Sequence, residues 1–189
     1  EAYFKDDKIV IPEATEKILN QIRNRETMRD MTVFLSFVND VDQNGTIVQK
    51  DTDILKKHIG SEAAARAHAE HLVEIASEGG YDGVEIDYEK IRSDMELWDD
   101  FLRFEDFLLE AASEKELKVR IVLEPSTPVE DLTFPEGAEY VVMCYNLYGG
   151  GTEPGPKADR DFLKELKDRF GMLSDISYAF ADGGFDWEG

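Results

Sequence analysis

The strongest constraint on the fold comes from residues 81–89, YDGVEIDYE, in which acidic and apolar residues alternate. β-Branched and aromatic residues at every second position predict a strand that begins at Val84. Because successive side chains of a strand point to opposite faces, the acids Glu85, Asp87 and Glu89 share one face and the apolar residues share the other. The sequence therefore predicts a strand with three carboxylates on a single face.

A face with three carboxylates destabilises the fold if the strand is buried. The strands predicted after it are apolar runs, which indicates that the acidic strand lies inside a sheet; an edge strand with its acids in water is the alternative. Three buried carboxylates destabilise a fold by several kcal/mol unless they share protons or find partners. Crowding of like charges raises the pKa of at least one of them. A carboxylic acid that stays protonated near neutral pH suits an enzyme that protonates a leaving oxygen.

The acidic stretch resembles the D-G-x-D-x-D-x-E signature of glycoside hydrolase family 18, the chitinase-like TIM barrels. Asp82, Asp87 and Glu89 match the signature, and Glu85 stands where the family has an aspartate. The resemblance implies that Glu89 is the general acid and base. It implies that Asp87 orients the N-acetyl group of the substrate, whose carbonyl oxygen attacks the anomeric carbon, and that Glu85 tunes Asp87 and contributes to substrate binding. No enzyme carboxylate acts as a nucleophile in this mechanism.

A second motif, residues 143–146 with the sequence MCYN, resembles the M-x-Y-D/N motif at the sixth strand of the same family. The resemblance implies that Met143 and Tyr145 share the inner face of the barrel. Tyr145 would donate a hydrogen bond to the N-acetyl carbonyl, and Asn146 would contact the sugar beside the cleavage point, with Met143 as a further substrate-binding residue. The alternative for Tyr145 is a core tyrosine whose hydroxyl is hydrogen-bonded within the protein.

Strands and helices alternate along the chain, and this order predicts an α/β fold of parallel β/α units. Strands are predicted at residues 31–38, 84–89, 118–123, 140–146 and 176–180, with strand or extended segments at 1–4 and 8–11. Helices are predicted near residues 14–22 and at 61–77, 97–114 and 161–170.

The family resemblance, which runs from about residue 31 to residue 180, implies a partial (β/α)8 TIM barrel. A complete barrel of this kind takes about 250 residues, whereas the chain has 189. Matched in order, the predicted strands correspond to the family's strands two or three to seven. Trp187 follows the seventh strand directly, which is too early for the tryptophan of the family's eighth strand. Residues 1–189 are thus predicted to form a single catalytic domain or a fragment of one.

The composition of the chain makes some classes of binding partner unfavourable. A net charge of −21 disfavours nucleic acid and anionic membranes. The single cysteine, Cys144, allows no intrachain disulfide and lies in an apolar run typical of a buried position. No apolar run reaches the length of a transmembrane helix, and no cofactor is expected. The family resemblance implies an extracellular or cell-surface protein, and no signal peptide is visible in the sequence.

Residues 40–51 fit the spacing of a calcium-binding loop, with oxygen-bearing side chains at positions one, three and five and Gly45 at position six. Two features count against this interpretation. Position twelve is Asp51, which is shorter than the usual glutamate, and the predicted element before the loop is a strand. The alternative is a loop that turns at Asn44 and Gly45.

The sequence leaves three functions open. The resemblance implies a retaining glycosidase that hydrolyses β-1,4 bonds at N-acetylglucosamine with Glu89 as acid and base; chitin, peptidoglycan and the N-glycan core all contain this sugar. A catalytically silent carbohydrate-binding relative, or an inactive barrel fragment, is the second hypothesis, and a calcium-regulated module is the third. The presence of Glu89 favours the enzyme, whereas the missing strands favour the second hypothesis. Open barrel edges also predict self-association.

Overall fold

The computed structural model describes residues 1–28, 30–149 and 152–183. The strands are β1 (Ala2–Lys5), β2 (Lys8–Val10), β3 (Phe34–Gln43), β4 (Thr46–Val48), β5 (Gly83–Asp87), β6 (Lys118–Leu123), β7 (Glu139–Met143) and β8 (Ile176–Ala179). The helices are α1 (Glu13–Asn24), α2 (Thr52–Ile59), α3 (Glu62–Glu78), α4 (Met95–Glu114) and α5 (Arg160–Phe170), and a 3-10 turn spans Val129–Asp131. None of the described helices is both long and apolar enough to cross a membrane.

One sheet contains all the described strands, in the order β2-β1-β3-β5-β6-β7-β8, with β4 paired to β3. The neighbours from β1 through β8 run parallel, whereas β2 and β4 are antiparallel additions to β1 and β3. Within the described part of the chain, β2 and β8 are the two ends of this order and the sheet does not close. The structure thus confirms a partial barrel of parallel β/α units. Trp187 lies outside the described residues.

The two faces of the sheet differ because helices cover only one of them. On β5 the side chains of Val84 and Ile86 are fully buried against the helical layer. Helix α4 supplies the largest apolar side chains of that layer, and Phe101 and Phe104 pack around the ring of Tyr88. The opposite, inner face is only partly covered in this open sheet, and it is the face that the alternation assigned to the acids.

Side-chain caps define where several helices begin. Ser61 accepts a hydrogen bond from the amide of Ala64 at 3.3 Å at the start of α3, and Asp94 does the same for the amide of Leu97 at 3.2 Å in α4. Each cap satisfies an amide that has no partner inside the helix. Helix α2, capped by Asp51, was missed by the sequence prediction because it is only 8 residues long.

The predicted boundaries of three strands are wrong. The strand predicted at residues 31–38 is β3, which begins at Phe34 and continues to Gln43. The strands predicted at 84–89 and 140–146 end earlier, at Asp87 and Met143. Ladder pairing with the neighbouring strands determines these ends, and the side-chain pattern alone continues past them.

The segment that fits a calcium loop is a β-hairpin. Its turn lies at Asn44 and Gly45, whose φ angles are 56° and 87°, as a two-residue type I′ turn requires. The carboxylates are engaged locally: Asp40 accepts from the amide of Lys50 at 2.8 Å, and Asp42 accepts from the amide of Gly45 at 2.7 Å. Among the described residues no group of three or more His, Cys, Asp or Glu side chains is arranged to hold a metal ion. The structure therefore supports the turn alternative.

Candidate active site

The predicted acidic face lies at the C-terminal end of β5, on the inner face of the sheet. Glu85 and Asp87 are in the strand and Glu89 follows its end. The side chains of Glu85 and Glu89 are 22% and 13% exposed, while Ile86 and Tyr88 are buried on the opposite side. The alternation of faces is therefore confirmed. The carboxyl ends of parallel strands are where barrel enzymes carry their reactive groups.

Asp82, the first acid of the stretch, has a different position. Its carboxylate accepts hydrogen bonds from Arg23 at 2.6 Å and from the amide of Val33 at 2.7 Å, at the opposite end of the strand from Glu89. Gly83 follows it where a Cβ atom would lie 2.5 Å from the ring of Phe34. Asp82 and Gly83 thus anchor the beginning of β5, and their contribution to the motif is structural.

Asp87, like the other two acids, is partly buried. One of its carboxyl oxygens is buried without a hydrogen-bond partner among the described residues. Burial is the first cause that raises the pKa of Asp87, to about 7; the charges of Glu89 and Glu85 raise it further, and Lys50 opposes them. Asp87 therefore keeps its proton in a substantial fraction of molecules at neutral pH. This agrees with the expected shift, although burial outweighs the crowding of like charges.

Glu89 is held from two directions by the segment around the β3–β4 hairpin. The ammonium of Lys50 forms an ion pair with its carboxylate. The side chain of Asn39 accepts from the amide of Glu89 at 2.9 Å and donates to its carbonyl at 3.0 Å. Of the acids on this face, Glu89 is thus the one that pairs with Lys50, while burial raises the pKa of Asp87 to about 7.

Glu85 faces a charge that the sequence analysis did not identify. Arg120 on β6 pairs with Glu85 at 3.2 Å and with Glu139 on β7 at 2.8 Å, and its guanidinium lies 4.0 Å from the centre of the Phe34 ring. The register places Glu85, Arg120 and Glu139 side by side across three strands. A signal for Arg120 exists in the sequence, because it is a charged residue within the apolar run 119–123, VRIVL, at an inward position of the strand.

The second motif is brought to the same edge of the sheet. Tyr145 is half-buried; its pKa is raised first by burial and then by the charges of Asp87, Glu89 and Glu85, so its hydroxyl lies in the field of all three acids. Met143 is only 4% exposed. Asn146 is exposed, and its amide nitrogen lies 3.6 Å from the sulfur of Met143. Tyr145 thus joins the acid cluster, whereas Met143 offers little surface to a ligand.

A sizeable cavity lies away from these residues. A space of about 760 Å³ opens at the N-terminal ends of β6 and β7, lined by residues that include Leu117, Lys118 and Glu136. It contains none of the three acids of the inner face. Because the sheet is open, its acidic face is an exposed surface and does not form an enclosed cavity. The candidate site is therefore identified by the chemistry of its side chains and not by the size of a cavity.

The parallel β/α sheet, with carboxylates at the C-terminal end of a central strand, defines the fold as an open form of the (β/α)8 barrel. Solved structures with this fold include the protein ydhD of Bacillus subtilis (17% identical, TM-score 0.72, covering 94% of this chain and 60% of that one). They also include a chitinase of Chromobacterium violaceum (19% identical, TM-score 0.72, covering 94% of this chain and 57% of that one). A third is a class V chitinase of tobacco (9% identical, TM-score 0.63, covering 94% of this chain and 57% of that one).

These likenesses show the fold and confirm the predicted partial barrel, since family 18 chitinases are among the proteins that share it. The chain spans 57–60% of the length of the three proteins named. No protein-family model matches the sequence, and no curated protein matches it in sequence either.

Proposed function

We propose that this chain carries the acid site of a glycoside hydrolase that cleaves β-1,4 bonds at N-acetylglucosamine. The observation that carries the proposal is the cluster of Glu85, Asp87 and Glu89 with Tyr145 at the C-terminal edge of the sheet. Within it, one acid has a pKa near neutrality and a second lies two residues further along the chain. Paired carboxyl groups of this kind support proton transfer to and from a glycosidic oxygen.

In the proposed reaction Glu89 gives a proton to the glycosidic oxygen as its bond to the anomeric carbon breaks. The acetamido oxygen of the same sugar attacks that carbon and forms an oxazolinium ion, which Asp87 orients and the Tyr145 hydroxyl stabilises. Glu89, now a carboxylate, takes a proton from the water that opens the ring. Because Glu89 is paired with Lys50 in this structure, substrate must displace the ammonium, and Asp87 is the neighbouring source of the proton.

Polymers of N-acetylglucosamine are the proposed substrates. The tobacco chitinase that shares the fold is solved in complex with NAG4, and chitin, peptidoglycan and the N-glycan core all present this sugar. Such substrates place the proposed enzyme outside the cell or at its surface. The cluster needs no cofactor for this reaction, because the substrate supplies the nucleophile.

A carbohydrate-binding relative without catalysis is the second candidate, and one observation favours it. The Lys50 ammonium forms an ion pair with Glu89, the residue that would have to donate a proton to the glycosidic oxygen. A sugar that binds without displacing Lys50 would be held and not cleaved.

The test is an assay of the chain and its Glu89→Gln variant on N-acetylglucosamine oligomers, with products followed by mass spectrometry. Glu110→Gln is the matched control, since Glu110 pairs with Arg66 at 2.9 Å on the exposed side of α4. Cleavage by the parent and by Glu110→Gln, with none by Glu89→Gln, supports the enzyme. If the folded parent binds the oligomers without cleaving them, the second candidate is supported. If the folded parent neither binds nor cleaves them, both candidate functions are overturned.

A further inference from the structure

Asn39 is a buried polar residue with an unusual set of partners. It is 1% exposed, and its carboxamide makes hydrogen bonds only to main-chain atoms of distant segments. The oxygen accepts from the amide of Glu89 at 2.9 Å, while the nitrogen donates to the carbonyl of Glu89 at 3.0 Å and to that of Asp51 at 3.3 Å. The reversed carboxamide would set an oxygen against two carbonyls, so the bonds fix its orientation.

These bonds occur where the sheet has stopped supporting the chain. The pairing of β3 with β5 ends at Val38 and Asp87, so Glu89 lies beyond the ladder. The next residue, Lys90, has a φ of 64°, which turns the chain away from the strand direction. The side chain of Asn39 thus replaces a neighbouring strand for Glu89, with one bond accepted and one donated.

The same residue also holds the segment that carries Lys50. The main-chain oxygen of Asn39 accepts from the amide of Asp51 at 2.8 Å, and its side chain donates to the carbonyl of Asp51. Lys50 directly precedes Asp51 and pairs with the carboxylate of Glu89. Asn39 therefore connects both members of the Lys50–Glu89 pair through their backbones.

We propose that Asn39 is a positioning residue of the acid site, whose carboxamide fixes the backbone of Glu89 and joins it to the segment that bears Lys50. The inference deepens the proposed function and rests on it for its catalytic meaning. A displacement of about 1 Å in a reacting group can lower the rate by about 10²-fold. Removal of the carboxamide is therefore expected to lower kcat by about that factor and to leave KM nearly unchanged.

The decisive experiment measures the backbone directly in the Asn39→Ala variant of the full chain, by amide hydrogen exchange. Two amides serve as probe and internal control. The amide of Glu89 is bonded to the side chain of Asn39, whereas the amide of Asp51 is bonded to its main-chain oxygen and keeps that bond in the variant. We expect exchange at Glu89 to accelerate by at least about 10-fold relative to exchange at Asp51.

Tyr140→Phe is the matched variant for loss of a buried hydrogen-bonding group away from the site. Tyr140→Phe should not accelerate exchange at the Glu89 amide relative to the Asp51 amide, and it should leave kcat unchanged. Equal acceleration at Glu89 and Asp51 in Asn39→Ala would mean that Asn39 only stabilises the fold, which overturns the proposal. Unchanged kcat in a cleaving protein would overturn it too. If the parent cleaves no oligomer, the proposed function fails, while the exchange measurement still decides whether Asn39 positions Glu89.

Discussion

Two buried carboxyl groups have raised pKa values for the same first reason, but they lie in different surroundings. Burial raises the pKa of Asp87 to about 7 and that of Glu105 to about 8. Asp87 lies on the partly open inner face of the sheet, beside two further acids and a lysine. Glu105 is a fully buried residue of α4, and Tyr140 is its hydrogen-bond partner.

At Glu105 the proton completes a hydrogen-bond network inside the protein. The hydroxyl of Tyr140 lies within hydrogen-bond reach of both the Glu105 carboxyl and the carbonyl of Pro135. A single hydroxyl proton cannot serve two acceptors, and a protonated Glu105 removes the conflict by donating to Tyr140, which then donates to Pro135. A raised pKa therefore reports burial at both residues. It indicates a candidate for chemistry at Asp87, where two further acids and a lysine share the inner face of the sheet.

The largest expected effect that separates the two residues is on catalysis. Asp87→Asn removes the proton source beside Glu89, and we expect kcat on N-acetylglucosamine oligomers to fall by about 10²- to 10⁴-fold. The free energy of unfolding at pH 8 should hold or rise, because the variant no longer buries a charge. Turnover and urea denaturation, measured on the same preparation, check both parts. Full activity in a folded Asp87→Asn protein would contradict the assignment.

Glu105→Gln should have the opposite outcome, with activity retained and stability changed. An acid with a raised folded-state pKa contributes nothing unfavourable below its unfolded value of 4.5, and it destabilises the fold progressively as pH rises to about 8. We expect the variant to be more stable than the parent by about 4 kcal/mol at pH 8 and to match it near pH 4. Urea denaturation across this range gives the difference; a constant offset at all pH values would contradict the raised pKa.

The sequence predicted the part of the site that depends on periodicity. The alternation at Glu85 and Asp87 encodes which face of the strand is buried, and β/α order encodes a parallel sheet. It could not predict which residues of other strands meet that face. Arg120 reaches Glu85 only through the register of β5 with β6, and Lys50 reaches Glu89 only because the hairpin folds back over the strand end. Such pairings depend on tertiary geometry, which no local pattern records.

The smallest expected effect comes from Lys50, and it sharpens what makes Asp87 different from Glu105. The ammonium of Lys50 lowers the pKa of Asp87 against the combined action of burial and the two glutamates. Lys50→Met should therefore move that pKa upward from about 7, so Asp87 keeps its proton to higher pH. Titration of the Asp87 carboxyl carbon by NMR gives the shift, and the alkaline limb of the pH–rate profile should move in the same direction.

Lys90→Met is the matched control, because its ammonium donates to the main-chain oxygen of Gln49 at 3.1 Å and not to a carboxylate. It should leave the Asp87 titration where it is. An unchanged Asp87 pKa in Lys50→Met would show that the ion pair does not reach the cluster. If the parent only binds oligomers and Lys50→Met cleaves them, the lysine is what keeps the acid from acting. The two candidate functions would then differ by the position of one ammonium group.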